Sequence, residues 1–205
     1  MLDLGNESLK EYAVRRTKEA GVLPCIKLHE KADWIAYAQA MVDGGAKAVE
    51  VTMTTPGALE AIEAISSHFG KELLVAAGTV LDAATAREVI LHGGSILVNP
   101  CVVEDVLDVA NRYQVPIYSG AFTATEVFQA MRAGASMVKI FPGGLGGAKQ
   151  IAGIGGIDAH PRQGLGDAGR LASPKRVERR IQLSLEDPCG IVRSLTMAHE
   201  KEFNV

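Results

Sequence analysis

Two residues of the 205-residue chain place charge where their neighbours carry none. Lys139 lies in Ser136-Met137-Val138-Lys139-Ile140-Phe141-Pro142, and Glu50 lies in Val49-Glu50-Val51-Thr52. Side chains alternate along a strand, so Met137, Lys139 and Phe141 share one face while Val138 and Ile140 share the other. An ammonium among apolar residues is costly unless it is paired or deprotonated. Desolvation favours the neutral amine, which is the form that attacks a ketone. A lysine so placed could also bury its stem and keep its head in solvent, or pair structurally with a carboxylate. Glu50 needs a partner or a proton as well, and Lys139 is the natural candidate across a barrel interior. Together they make a nucleophilic amine beside a general acid/base, the minimum set for imine chemistry; a structural ion pair is the competing reading.

The elements that must position this pair recur with a regular pattern. Short apolar, β-branched runs predict strands at Val22–Leu28, Ala48–Met53, Leu73–Val80, Ser95–Cys101, Val115–Ala121 and Met137–Pro142. Helical periodicity lies between them, as in Ala32–Ala46 and in Pro56–Phe69, where Pro56 suits a first turn. Gly44-Gly45-Ala46, Gly93-Gly94-Ser95 and Gly134-Ala135-Ser136 repeat one helix-exit signature just before a strand. The strands are almost continuously apolar, as expected of a parallel sheet buried on both faces. Such β-α units imply either a doubly wound open sheet or a closed barrel. Polar or special residues stand at the C-terminal ends of several strands: Glu50, Thr52 and Thr54, Gly78-Thr79, Asn99-Pro100, Ser119-Gly120, and Lys139 with Phe141. A barrel gathers those ends around one mouth, so the expectation is an α/β fold of TIM-type (β/α) barrel form.

Taken in order, Val49-Glu50-Val51-Thr52, Ala76-Ala77-Gly78-Thr79-Val80, Asn99-Pro100, Ser119-Gly120-Ala121 with Thr123-Ala124-Thr125-Glu126, and Val138-Lys139-Ile140-Phe141-Pro142 resemble the 2-keto-3-deoxy-6-phosphogluconate aldolases. Several of these also cleave 4-hydroxy-2-oxoglutarate. The resemblance runs from about Val22 to Lys149 and implies a class I aldolase that needs no metal or other cofactor. It implies that Lys139 forms an imine with the C2 ketone of a small 2-keto acid and that Glu50 shuttles protons. Thr79 resembles the contact to the pyruvate carboxylate, and Pro100 and Phe141 resemble walls that hold the imine plane. Where many members carry an arginine four residues after the glutamate, this chain has Thr54, which offers a hydroxyl without charge. A homotrimer is also implied.

From Gln150 onward the resemblance stops, and no seventh or eighth strand is legible. The glycines at 143–147 and 153–156 read as a flexible linker more readily than as a phosphate loop, and Pro174–Arg180 reads as a solvated basic segment. With plausible synonymous codons, Arg162 to Arg170 (RQGLGDAGR) read one base later give Val-Lys-Val-Leu-Val-Thr-Pro-Gly-Gly. That has the look of a strand ending in a glycine turn, and suggests a frameshift or a sequencing error. The expectation is therefore a barrel portion over residues 1–149, with an N-terminal helix and six β-α units. Residues 150–205 are expected to form an atypical, poorly ordered segment, leaving the barrel incomplete or irregular after its sixth strand. The other function readings are a catalytically impaired, truncated barrel without a phosphate site, and a different barrel enzyme that binds a phosphorylated metabolite.

Composition narrows the classes further. With 47% hydrophobic and 22% charged residues, the chain reads as globular and long enough for a core. A formal net charge of -3 gives no general pull toward nucleic acid or anionic membrane, so neither is expected as a partner. Cys25, Cys101 and Cys189 are odd in number and form no CxxC pair, which argues against a disulfide framework and a thiolate metal site. The charged N-terminus lacks a signal-peptide pattern, and no apolar run approaches the roughly 20 residues that span a bilayer. A cytoplasmic location is the expectation.

Overall fold

The computed structural model describes residues 7–29 and 33–154. The chain opens with α1 (Leu9–Ala20) and then runs β1 (Cys25–Ile26), α2 (Trp34–Asp43), β2 (Ala48–Thr52), α3 (Ala58–Phe69), β3 (Leu74–Gly78) and α4 (Ala83–Leu91). It continues through β4 (Ile96–Asn99), α5 (Glu104–Tyr113), β5 (Ile117–Ala121), α6 (Ala124–Arg132), β6 (Met137–Ile140) and α7 (Gly143–Ile154). All six strands are parallel and stand in sequential order, β1-β2-β3-β4-β5-β6. The α/β class and the barrel-type strand order are as expected, while among the described residues the sheet does not close: β1 and β6 remain its edges. An open margin explains why every residue of β6 is half-buried, whereas β2 to β5 are buried throughout.

Four of the described helices begin where a side chain supplies partners for their first N–H groups. Ser8 and Glu11 cap α1 reciprocally, and Thr123 and Glu126 do the same for α6. Asp33 and Asp82 accept N–H bonds at the starts of α2 and α4. At the helix exits Gly45, Gly93 and Gly134 adopt φ of 91°, 88° and 87°, the left-handed turn that their signature predicts.

Three expectations need correction. Pro56 does not begin α3; Gly57, at φ 75°, turns the chain first, and the helix starts at Ala58. Glycines 143–147 are not a linker but the opening of α7, which follows β6 directly. Gln150 on that helix donates to the Phe122 carbonyl and so ties α7 to the end of β5. The atypical segment is expected from residue 150, and the second linker at glycines 153–156, but residues 150–154 complete α7; the rest of that segment, the shifted frame at Arg162–Arg170 and the basic segment at Pro174–Arg180 lie outside the described residues.

The two faces of the sheet bury two separate clusters. Val49, Val51, Val75, Ala77, Leu97 and Ile117 pack outward against the helices. Ala48, Leu74, Ala76, Ile96, Val98 and Tyr118 pack inward against Ala13 of α1 and its neighbours Tyr12 and Val14. Ala48, Leu74 and Ile96 are the first residues of their strands, so α1 plugs the N-terminal end of the interior. A 2.9 Å bond between the Thr17 and Tyr118 hydroxyls fixes the plug. The C-terminal strand ends are thereby left as the accessible end of the inner face. Burying each large aliphatic side chain of these clusters contributes about 1.5–3 kcal/mol, which holds the strands in one register.

Candidate active site

Register carries the inner face from one edge of the sheet to the other. Cys25 stands opposite Glu50, Glu50 opposite Ala76, and Ala76 opposite Ile96. Val98, two residues further along β4, stands opposite Tyr118, and Tyr118 opposite Met137. Because alternate residues share a face, Gly120 and Lys139 continue the same side and are themselves register partners. Glu50 and Lys139 therefore lie on one face, the inner one, although they sit four strands apart.

Glu50 is buried, and its carboxylate occupies a space that only glycine leaves. A methyl group on Gly78 would overlap Glu50 Oε1 and stand 2.7 Å from Cδ. On its other side, the Cys25 thiol donates to Glu50 Oε1 at 3.7 Å. Burial, reinforced by the negative charge of Glu50, pushes the Cys25 thiol up to about 12, while the positive charges of Lys139 and Lys27 pull it the other way. Both members of the pair thus act on a single thiol. Among the described residues neither Glu50 nor Lys139 forms a salt bridge, so the direct pairing expected across the interior is replaced by a shared wall. Lys139 Nζ instead stands 5.3 Å from the centroid of the Phe141 ring. A cation at that distance is attracted by the ring face, and so is held near the mouth.

Thr79 follows Gly78 at φ 61°, one of two non-glycine residues with positive φ among those described. The strained turn at the end of β3 belongs to the threonine itself. Left-handed backbone at a non-glycine residue costs about 1–2 kcal/mol and persists only where the surroundings enforce it. Val80 N–H donates to the Val98 carbonyl at 3.1 Å, and Met53 N–H donates to the Gly78 carbonyl at 2.8 Å, which pin the turn from both sides. Pro100 is half-buried, and its carbonyl group lies where a methyl on Gly120 would overlap it. The absent side chain at Gly120 lets the end of β4 press against the strand that pairs with Lys139. Phe141 is exposed at the mouth. Thr54 is exposed too, and its hydroxyl donates to Thr52 Oγ1 at 3.1 Å, next to a 3.1 Å bond between the Thr52 and Thr55 hydroxyls.

Not every strand-end polar residue converges on the mouth. Asn99 and Ser119 are register partners on the outer face, fully buried under the helices. Asn99 Oδ1 accepts the Gly120 N–H at 3.2 Å, while Asn99 Nδ2 and Ser119 Oγ have no partner among the described residues. Conversely, Cys25 and Gly78 shape the surroundings of Glu50 and were not singled out from the sequence for that role. A cysteine inside an apolar strand was the available signal for the first, and a glycine on the face that carries the glutamate for the second. Among the described residues no group of three or more His, Cys, Asp and Glu side chains could hold a metal ion. No described helix is long and apolar enough to cross a membrane.

Sequential parallel strands alternating with helices, with an amine and a carboxylate on their inner face, define an α/β protein of TIM-barrel type. The chain belongs to the KDPG and KHG aldolase family, whose model matches residues 14–161. It is 35% identical over 130 residues to 2-dehydro-3-deoxy-phosphogluconate aldolase of Pseudomonas aeruginosa, covering 63% of this chain and 59% of that protein. It is 33% identical over 136 residues to KHG/KDPG aldolase of Escherichia coli K12, covering 66% and 63%. The chain thus spans about six tenths of the length of these curated relatives. Among solved structures, the 2-keto-3-deoxy-6-phosphogluconate aldolase of Zymomonas mobilis ZM4 superposes with a TM-score of 0.64 at 29% identity, over 70% of this chain and 68% of that one. KDPG aldolase of Legionella pneumophila, at 24% identity and a TM-score of 0.66, shares the fold over 87% of this chain and 93% of its own.

Proposed function

We propose that this chain is a class I aldolase that cleaves 2-keto-3-deoxy-6-phosphogluconate to pyruvate and glyceraldehyde 3-phosphate, and 4-hydroxy-2-oxoglutarate to pyruvate and glyoxylate. The observation that carries this reading is the shared inner face of Lys139 and Glu50, which the strand register sets on one side of the sheet. The Lys139 amine adds to the C2 ketone, and Glu50 supplies and removes the protons needed to expel water and leave an imine. The C3–C4 bond then breaks, with its electron pair flowing into the protonated imine, while the C4 hydroxyl loses its proton to the Glu50 carboxylate. The aldehyde leaves. Protonation of the enamine at C3 and hydrolysis of the imine release pyruvate and return the amine.

Thr79 meets the substrate carboxylate in this reading, and Pro100 and Phe141 flank the plane of the imine. Thr54 stands near the carboxylate as an uncharged hydroxyl. The setting is a cytoplasmic homotrimer acting on small 2-keto acids, built from a barrel portion over residues 1–149. The family match ends at residue 161, immediately before the Arg162–Arg170 stretch, and that supports a shifted frame from there. The nucleotide sequence at that point tests the idea: an early stop codon in the alternative frame counts against it. Activity is tested by a lactate-dehydrogenase-coupled assay of pyruvate release. Cleavage that disappears in Lys139→Met and Glu50→Gln supports the reading, and cleavage that survives Lys139→Met overturns it.

A further inference from the structure

The carboxylate of Glu50 has one polar contact among the described residues, and it comes from a residue that the mechanism above does not use. Cys25 is directly across the β1–β2 register from Glu50, and its thiol donates to Oε1 at 3.7 Å. The opposite side of the carboxylate is bounded by Gly78, where any Cβ would overlap it. The carboxylate therefore sits between a donor and a backbone, with Lys27 on the β1 side and Lys139 on β6 as the other charged groups that reach this corner. We propose that Cys25 is a positioning residue for the aldol cleavage: its S–H bond holds the Glu50 carboxylate against Gly78, oriented toward the substrate that Lys139 holds.

This inference rests on the aldolase reading of Lys139 and Glu50. A thiol suits the task because it donates weakly. One oxygen is oriented without the stronger stabilisation of the anion that a charged donor would bring, so the carboxylate remains free to take up a proton during turnover. The thiol stays protonated, because burial and the adjacent carboxylate hold its ionisation far above neutrality. It is thus a donor throughout the working pH range and not a competing nucleophile. The strand pairing fixes its backbone, and the 3.7 Å contact needs no large rearrangement.

Two variants and two readouts test the proposal. Cys25→Val removes the donor and puts an apolar, β-branched side chain suited to a strand in its place, while Cys25→Ser keeps a donor. The cleavage kcat is expected to fall about fivefold in Cys25→Val, the effect of about 1 kcal/mol for one hydrogen bond from a weak, uncharged donor, with KM unchanged. Cys25→Ser is expected to recover most of that loss. The second readout is the infrared S–H stretch of Cys25, identified as the band lost in Cys25→Val. It should lie at lower frequency in the parent chain than in Glu50→Ala, where the acceptor is gone. An unchanged kcat in Cys25→Val, or a band that does not move in Glu50→Ala, overturns the proposal. Failure of the underlying reading looks different: the band still shifts, but folded parent protein shows no cleavage at all.

Discussion

The Glu50 carboxylate fills the space that a side chain at Gly78 would need: a methyl group there would stand 2.7 Å from Cδ and overlap Oε1. Gly78→Ala is therefore expected to displace the carboxylate. A shift of about 1 Å at a reacting group lowers rates by about 100-fold, while overpacking costs the fold about 1–3 kcal/mol. Steady-state kinetics beside a denaturation curve separate the two effects. Parent-like kcat/KM in the alanine variant would mean that the present position of Glu50 is not the one that matters.

Thr79 offers a case in which stability and binding should part. Glycine at φ 61° relieves about 1 kcal/mol of left-handed strain but returns about 0.5–1 kcal/mol of freedom to the unfolded chain. Thr79→Gly is thus expected to leave the unfolding free energy within about 1 kcal/mol of the parent and to raise KM several-fold, because the hydroxyl proposed to meet the substrate carboxylate is lost. An unchanged KM would remove Thr79 from the binding site.

The architecture was legible in the sequence because apolar runs and helix-exit glycines report directly on burial and turn geometry. All six strands were identified, though β1 forms a ladder only at Cys25–Ile26 and not over Val22–Leu28. Pro24 has no N–H to give, and its carbonyl accepts the Glu50 N–H instead. Lys139 and Glu50 were legible as charges out of place. The neighbours of Glu50 were not, since Cys25 and Gly78 meet it only through parallel register, which side-chain periodicity along one strand does not encode. Asn99 and Ser119 are grouped with the mouth by their place at strand ends, although alternation along each strand turns both outward.

Thr54 tests whether the substrate carboxylate is met, as proposed, by an uncharged group. Its exposed hydroxyl is engaged with Thr52. Thr54→Arg adds a donor able to fork onto a carboxylate and is expected to lower KM for 2-keto acid substrates by about tenfold, because hydrogen bonds to charged groups contribute about 1.5–3 kcal/mol. A KM that stays put would place the substrate carboxylate elsewhere.

One buried group, Tyr118, and one half-buried group, Cys25, predict loss of stability in alkali. Burial raises Cys25 from 9.0 to about 12 and Tyr118 from 10.0 to about 12. Both are neutral when protonated, and the folded state holds those protons more tightly. Their contribution is therefore complete below the unfolded-state values. It declines as the unfolded chain begins to lose protons above about pH 9, and is gone above about pH 12. Unfolding free energy followed across that window should fall, and should fall less in Cys25→Val. At pH 8 an alkylating reagent should label exposed Cys101 well before Cys25. Equal labelling rates would contradict the shielding and the raised ionisation of the Cys25 thiol.

The most direct test of the central claim is reduction of the chain with borohydride in the presence of pyruvate, followed by peptide mass analysis. The account predicts one reduced pyruvate adduct, on Lys139, absent when pyruvate or borohydride is omitted. Protein that melts cooperatively yet carries no adduct, or carries it on a different lysine, would contradict the claim that the inner face of this sheet holds a Schiff-base amine at position 139.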